Sequence, residues 1–328
     1  MTLQISKVSL LSTKVNPYVA QNCDPGYVWD PILRQCVPAS TIISYAGVNI
    51  SYYSGSHLLS FNDTNDVNKV LDQLDADYEN YNTAYESQYP NATAIQLDSL
   101  DSVNNFDQLQ SYKNFEAKFA GYTSQRRIFD NNEVTWLNNN MAGNDPDSLD
   151  YTVENSDNAI CNNNYQLIIA GTTYQWTSTG LIIVGGTQSA IINSPTGSCF
   201  SNYRGGPPSW FYNSDRTRKC KLKVAVNSSL MRGEAKAKVK SFRKKSNGGW
   251  TRSRLDMRVR ILGPLYRGND CTLFENVDQS KPTQGYSKRY ELKTLRRVWA
   301  IQANISPNST FSGILYSNVA ELSGTKTL

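Results

Sequence analysis

The residues with the clearest chemical pattern lie between positions 219 and 260. Lys219, Lys221 and Lys223 alternate with Cys220, Leu222 and Val224, and Lys236, Lys238 and Lys240 alternate with Ala235, Ala237 and Val239. Arg252, Arg254, Arg258 and Arg260 continue the rhythm against Ser253, Leu255, Met257, Val259 and Ile261. Successive side chains of a strand point to opposite faces, so this spacing gathers the bases on one face of a sheet. The chemistry of such a face is capture of negative charge. An ordinary solvated face mixes acids with bases, and this one does not. Its expected partners are an acidic polysaccharide or lipopolysaccharide, a protein partner or a second copy of the chain, or the chain's own acidic half. Nucleic acid is disfavoured, because Phe242, Trp250 and Tyr266 come without an RNP motif, a zinc finger or a helix-turn-helix pattern.

Catalytic chemistry has little to work with. His57 is the single histidine, so any Ser-His-Asp or Cys-His arrangement would have to use it. In "YYSGSHLLSF" it reads as a structural imidazole. No HExxH, GxxxxGK[ST] or strand-linked GxGxxG occurs, which removes the common zinc and nucleotide sites. Neither a metal nor a cofactor is expected. Paired carboxylates about 5–10 Å apart remain an open glycosidase route, with many candidates and none that stands out.

The elements that must position the basic residues read as follows. "STIISYAGVNISYY", residues 40–53, is rich in β-branched and aromatic side chains and suits a strand. Val67, Val70, Leu71 and Leu74 have helical spacing, and Pro90 closes that helix. A second helix is expected from about Ser99 to Arg127, with Leu100, Val103, Phe106, Leu109, Tyr112, Phe115 and Phe119 as its apolar stripe. The two helices would pair as a hairpin. Residues 130–160, rich in Asn, Asp and Gly, read as loop, and residues 165–186 as short strands about a Gly171-Thr172 turn. "SNGGW", residues 246–250, reads as the turn of a hairpin that sets Lys240 opposite Asp256 and Lys238 opposite Arg258. The second of these pairings is repulsive.

The fold class expected is α+β: an N-terminal helical hairpin region with a C-terminal antiparallel β-sandwich. At 328 residues the chain exceeds a single core's usual extent of about 250–300 residues. The divisions expected are 1–64, carrying a Cys23–Cys36 loop; 65–130, the helical pair; 131–200, loop and short strands; and 201–328, the basic β-sandwich. Charge divides along the same lines. Residues 1–200 hold 8 Lys and Arg against 20 Asp and Glu, or −12, and residues 201–300 hold 24 against 7, or +17.

Six cysteines occur without a CxxC pair, so neither a zinc ribbon nor a thioredoxin motif is available. Cys23 and Cys36 are the disulfide candidates, because Asp24-Pro25-Gly26 and Asp30-Pro31 are turn formers between them. No apolar run of about 18 residues is present, so no transmembrane helix is expected.

In the order of these features, "CDPGYVWDPILRQCVP", "SLDSVNNFDQLQSY", "NNNYQLIIAGTTYQWTSTGLIIV" and a basic β-rich C-terminal half, the chain resembles a group of uncharacterised secreted proteins of Bacteroidota-type bacteria. The resemblance implies an extracellular or cell-surface setting reached through a signal peptide that has been removed. It transfers no functional residue. The function expected is therefore a non-enzymatic secreted or cell-surface binding or structural protein whose basic β face engages an anionic polymer or a partner subunit. The alternatives are a subunit of an extracellular filament or virion, and a carboxylate-dependent glycoside hydrolase.

Overall fold

The computed structural model describes residues 27–30, 35–38, 41–150, 155–177, 180–184, 203–205, 207–228, 233–255, 257–266, 273–282, 289–296, 312–317 and 323–327. The chain is α+β. A two-stranded ribbon, β1 (Tyr27–Asp30) and β2 (Gln35–Pro38), precedes a six-stranded sheet built from two segments far apart in sequence. Its first half is β3 (Thr41–Tyr45), β4 (Val48–Tyr53) and β5 (Leu58–Phe61); its second is β6 (Gln166–Ile169), β7 (Thr172–Thr177) and β8 (Gly180–Ile183). The join is parallel, Phe61 beside Ile169, while all other neighbours are antiparallel. Tight turns make the hairpins. Ala46-Gly47 and Ala170-Gly171 each place two consecutive residues at positive φ, the requirement of a type I′ turn. The second turn is therefore one residue earlier than the Gly171-Thr172 position read from sequence.

Among the described residues all the helices lie between β5 and β6: α1 (Thr64–Glu86), α2 (Ala94–Val103), α3 (Gln110–Glu116), α4 (Gln125–Asn138), a 3₁₀ turn (Pro146–Leu149) and α5 (Asn155–Ile160). Asp63 caps α1 by accepting from the Asp66 amide, and Thr93 with Gln96 forms a capping box on α2. Val67, Val70, Leu71 and Leu74 of α1 pack on Val48, Ile50, Tyr52, Leu59 and Phe61 of the sheet. Alternation along β4 supplies one buried face for them. Tyr112, Phe115, Phe119 and Tyr122 complete the same core, with Phe115 against Tyr45 and with Phe119 and Tyr122 against Tyr52.

The second helix expected over residues 99–127 is divided instead. Asn105 has φ 50° and the Phe106 amide donates back to the Asp101 carbonyl at 2.8 Å, a Schellman ending that stops α2. The aromatic stripe consequently splits. Leu109, Tyr112, Phe115 and Phe119 enter the core, Val103 is exposed, and Phe106 stacks on Tyr81 and Tyr85 at ring centroid separations of 5.2 and 3.6 Å. Residues 130–160, read as loop, contain the end of α4, the 3₁₀ turn and α5.

The C-terminal half forms two antiparallel sheets. The first runs β10 (Ser209–Tyr212), β11 (Arg218–Ser228), β12 (Gly233–Lys244), β13 (Trp250–Arg252), with β9 (Tyr203–Gly205) also on β11. The second contains β14 (Met257–Tyr266) and β15 (Leu273–Pro282). β16 (Arg289–Arg296) returns to the first sheet beside β12, and β17 (Ser312–Ser317) with β18 (Gly324–Thr327) completes the second. The β12–β13 register sets Phe242 opposite Arg252 and Lys244 opposite Trp250, two residues from the register read from sequence. The third basic run also breaks at Leu255, because β14 leaves for the other sheet. Lys238 accordingly stands opposite Glu291 of β16 rather than Arg258.

Candidate functional site

β11 and β12 pair so that Lys221 faces Lys240, Lys223 faces Lys238 and Lys236 faces Ala225. Like charges directly opposed destabilise a sheet, and these are also buried, with Lys221, Lys223 and Lys236 each only 1% exposed. Burying a charge is tolerable when it is paired and hydrogen-bonded. The 3₁₀ turn supplies the pairing. Asp147 places Oδ2 2.8 Å from Lys221 Nζ and Oδ1 2.8 Å from Lys240 Nζ, so one carboxylate bridges one opposed lysine pair. Asp150 serves the next pair, with Oδ2 3.3 Å from Lys238 Nζ and its carbonyl 2.8 Å from Lys223 Nζ. Lys223 also donates to the Asp147 carbonyl.

This fit follows from helix and strand geometry. A 3₁₀ helix has three residues per turn and a rise of about 2.0 Å, so Asp147 and Asp150 project from the same side about 6 Å apart. Two residues along a strand advance about 6.6–6.8 Å, which is the spacing between the two lysine pairs. A three-residue step on the turn therefore matches a two-residue step on the sheet. Asp145 holds the register from the turn's N-cap: its Oδ1 accepts from the Asp147 amide at 3.0 Å and from Lys221 Nζ at 2.8 Å.

Neighbouring elements extend the lattice. Glu133 on α4 lies 2.7 Å from Lys240 and 3.3 Å from Lys221, and it also receives Arg252, which reaches Asp130 at 2.8 Å. Asp157 of α5 meets Lys236 at 3.0 Å. Burial alone would raise the Asp147 carboxyl, yet Lys221 and Lys240 hold it well below the usual carboxylate range. Burial likewise opposes the charge on Lys221, and Asp147, Glu133 and Asp145 overcome it to push that ammonium above its ordinary value. Asp150 is lowered against its burial by Lys238 and Lys223.

Lys219 differs from its neighbours. Its ammonium sits over the rings of Trp250 and Trp210, 4.1 and 4.6 Å from their centroids, and burial followed by repulsion from Lys221 lowers it to about 8. Arg254 is fully buried in a separate cluster, 2.8 Å from Asp101 and 2.5 Å from Glu86. Asp98 fixes the adjacent backbone by accepting from Ser253 Oγ at 2.6 Å and the Arg254 amide at 2.9 Å. Arg260, on β14, pairs with Asp278 at the surface. The backbone of Arg258 is in β14, and its side chain is outside the described residues.

The bases singled out from sequence thus separate into a buried lysine lattice, a buried Arg254 cluster and an exposed Arg260 pair, and the expected single solvent-facing surface is not formed. Sequence reading named the chain's own acidic half among the partners but did not single out the acidic residues that meet the lysines. The signal available was "DPDSLD", residues 145–150, in which Asp145 precedes a Pro146 start and Asp147 and Asp150 stand three apart. It also missed Glu116, buried with Arg126 at 2.6 Å.

His57 is exposed and hydrogen-bonds Tyr52 at 3.1 Å. Among the described residues no group of His, Cys, Asp or Glu is arranged to hold a metal ion, and no helix is long and apolar enough to cross a membrane. Cys161 and Cys220 are buried free thiols, and burial pushes Cys220 up to about 12. Cys36 lies on β2, while Cys23, Cys199 and Cys271 are outside the described residues.

Fold and site together define an α+β protein whose basic sheet is covered by carboxylates of its own helical region. No protein-family model matches the chain, and no curated protein matches it. A crystal structure of a DUF4848 family protein from Bacteroides thetaiotaomicron VPI-5482 aligns over 85% of this chain and 98% of that one, at 12% identity and a TM-score of 0.19.

Proposed function

We propose that this chain is a non-enzymatic secreted or cell-surface binding or structural protein in which the basic β face engages an acidic protein surface, namely the segment 130–157 of its own chain. The observation that carries the reading is the insertion of Asp147 and Asp150 between opposed lysines, each carboxylate within 3.3 Å of its ammonium. Neutralised in this way, the lattice acts as an internal dock that locks the helical region onto the β half. Export, a Cys23–Cys36 disulfide and face-to-face packing of the two C-terminal sheets as a sandwich belong to the same proposal. The apolar sides of β11, β12 and β14, with Leu222, Val224, Val239, Val259 and Ile261 buried, support the last point.

The test is a salt gradient on a sulfated-polysaccharide column, with Lys238→Gln/Lys240→Gln beside the natural chain and thermal unfolding measured on both. An internal dock predicts unchanged retention of the folded protein and a lowered unfolding midpoint. Earlier elution with an unchanged midpoint would instead make the lysines a free anion-binding face, and the proposal would be lost.

A further inference from the structure

The end of the β11–β12 pair differs from the lattice. Arg218 and Arg243 stand directly opposite each other, one residue pair beyond Lys219 and Phe242, and alternation puts them on the other face of the sheet. Between this face and α2 runs a groove of about 600 Å³ lined by Ile95, Asp98, Ser99, Ser102, Arg218 and Arg243. Opposed residues carry their Cβ atoms about 4.5–5.5 Å apart, and like charges so placed repel. In the lattice the Lys221–Lys240 and Lys223–Lys238 oppositions are each bridged by an aspartate. Here the one carboxylate in the groove, Asp98, has both oxygens occupied by Ser253 and the Arg254 amide, and Arg243 reaches it only at 3.8 Å. Among the described residues the Arg218 guanidinium has no ion-pair or hydrogen-bond partner.

We infer that this groove binds the tetrahedral oxyanion of a sulfate or phosphate ester, held between Arg218 and Arg243. Two guanidinium forks on one small anion convert the repulsion into charge-assisted hydrogen bonds. Ser99 and Ser102 project from one side of α2. Their hydroxyls now donate to the carbonyls of Ile95 and Asp98, at 3.1 Å each, and a hydroxyl rotor can turn to an anion instead. Ile95, 65% exposed, gives the organic part of the ester an apolar wall. Arg216, Lys244 and Lys245 are exposed at the same end of the sheet and add attraction. The opposing acid there, Asp215, is occupied by the Thr217 amide at 2.9 Å and hydroxyl at 2.6 Å. The site stands apart from the buried lattice, so failure of either reading leaves the other untouched.

The experiment titrates inorganic sulfate, and separately inorganic phosphate, into the full chain by calorimetry and by thermal shift. The variants are Arg218→Gln, Arg243→Gln and, outside the groove, Lys245→Gln. Saturable binding is expected for the natural chain and for Lys245→Gln, weakened about tenfold or more by loss of either arginine, the scale of a lost hydrogen bond to a charged group. Arg218→Gln without added anion should unfold at a higher temperature than the natural chain, since the opposed charge is gone, and added sulfate should no longer stabilise it. At mildly alkaline pH, where both probe anions are dianions, tighter binding of sulfate than of phosphate assigns a sulfate ester, and the reverse order assigns a phosphate ester. Absence of saturable binding to the natural chain, or unchanged binding in both arginine variants, overturns the site.

Discussion

Asp147→Asn removes one negative charge at nearly constant volume from the point where the Lys221 and Lys240 ammonium groups meet. Breaking a buried ion pair by removing one partner costs about 3–5 kcal/mol, because the other charge stays buried. Two features place this case at the lower end of that range. Lys221 keeps Asp145 at 2.8 Å and Glu133 at 3.3 Å, and Lys240 keeps Glu133 at 2.7 Å. The expected loss is about 3 kcal/mol, which lowers the thermal midpoint by about 4–5 °C for a cooperatively unfolding chain of 328 residues.

Acidity supplies an independent check. The Asp147 carboxyl is held below the value of about 3.9 it has in an unfolded chain. A carboxyl depressed in the folded state contributes stability that is complete above its unfolded value and is lost as the pH falls toward the folded one. The gap between natural chain and variant should therefore be constant from neutrality down to about pH 5 and close steadily on further acidification. Urea unfolding followed by tryptophan fluorescence is the assay, since guanidinium is itself a salt. Moderate salt should leave most of the gap, because buried pairs are weakly screened. A loss below about 1 kcal/mol at neutral pH, the average effect of an unremarkable substitution, would refute the bridging role, as would a gap that widens in acid.

Three other outcomes follow from the packing. Arg254→Met leaves Asp101 and Glu86 facing each other without their guanidinium and should cost about 3–5 kcal/mol, read from the urea midpoint. Leu71→Ala empties a fully buried position between α1 and the first sheet and should cost about 2–5 kcal/mol in the same assay. Cys161 and Cys220 should resist iodoacetamide in the folded protein at mildly alkaline pH and alkylate once it is unfolded, as followed by peptide mass mapping. Labelling of either in the folded state would contradict its burial.

Much of the local structure was legible in the chain. Val67, Val70, Leu71 and Leu74 announced α1 and its buried side, and period-two alternation correctly put Lys219, Lys221, Lys223, Lys236, Lys238 and Lys240 on one face of one sheet. Such features depend on backbone geometry over a few residues, which composition and spacing express directly. The division of the second helix was less visible, because it turns on Asn105 entering a left-handed conformation, and many residues near an Asn do not.

The direction in which the lysine face points was decided only by tertiary structure. Period-two spacing assigns side chains to a face and carries no information on whether that face meets water, a ligand or the rest of the chain. Lys221 is separated from Asp145 by 76 positions, and Lys240 from Glu133 by 107. The acidic and basic totals of the two halves registered the complementarity as a quantity. The match between a three-residue step on a 3₁₀ turn and a two-residue step on a strand exists only after both have folded and met, and that meeting turned an array of like charges into an interior.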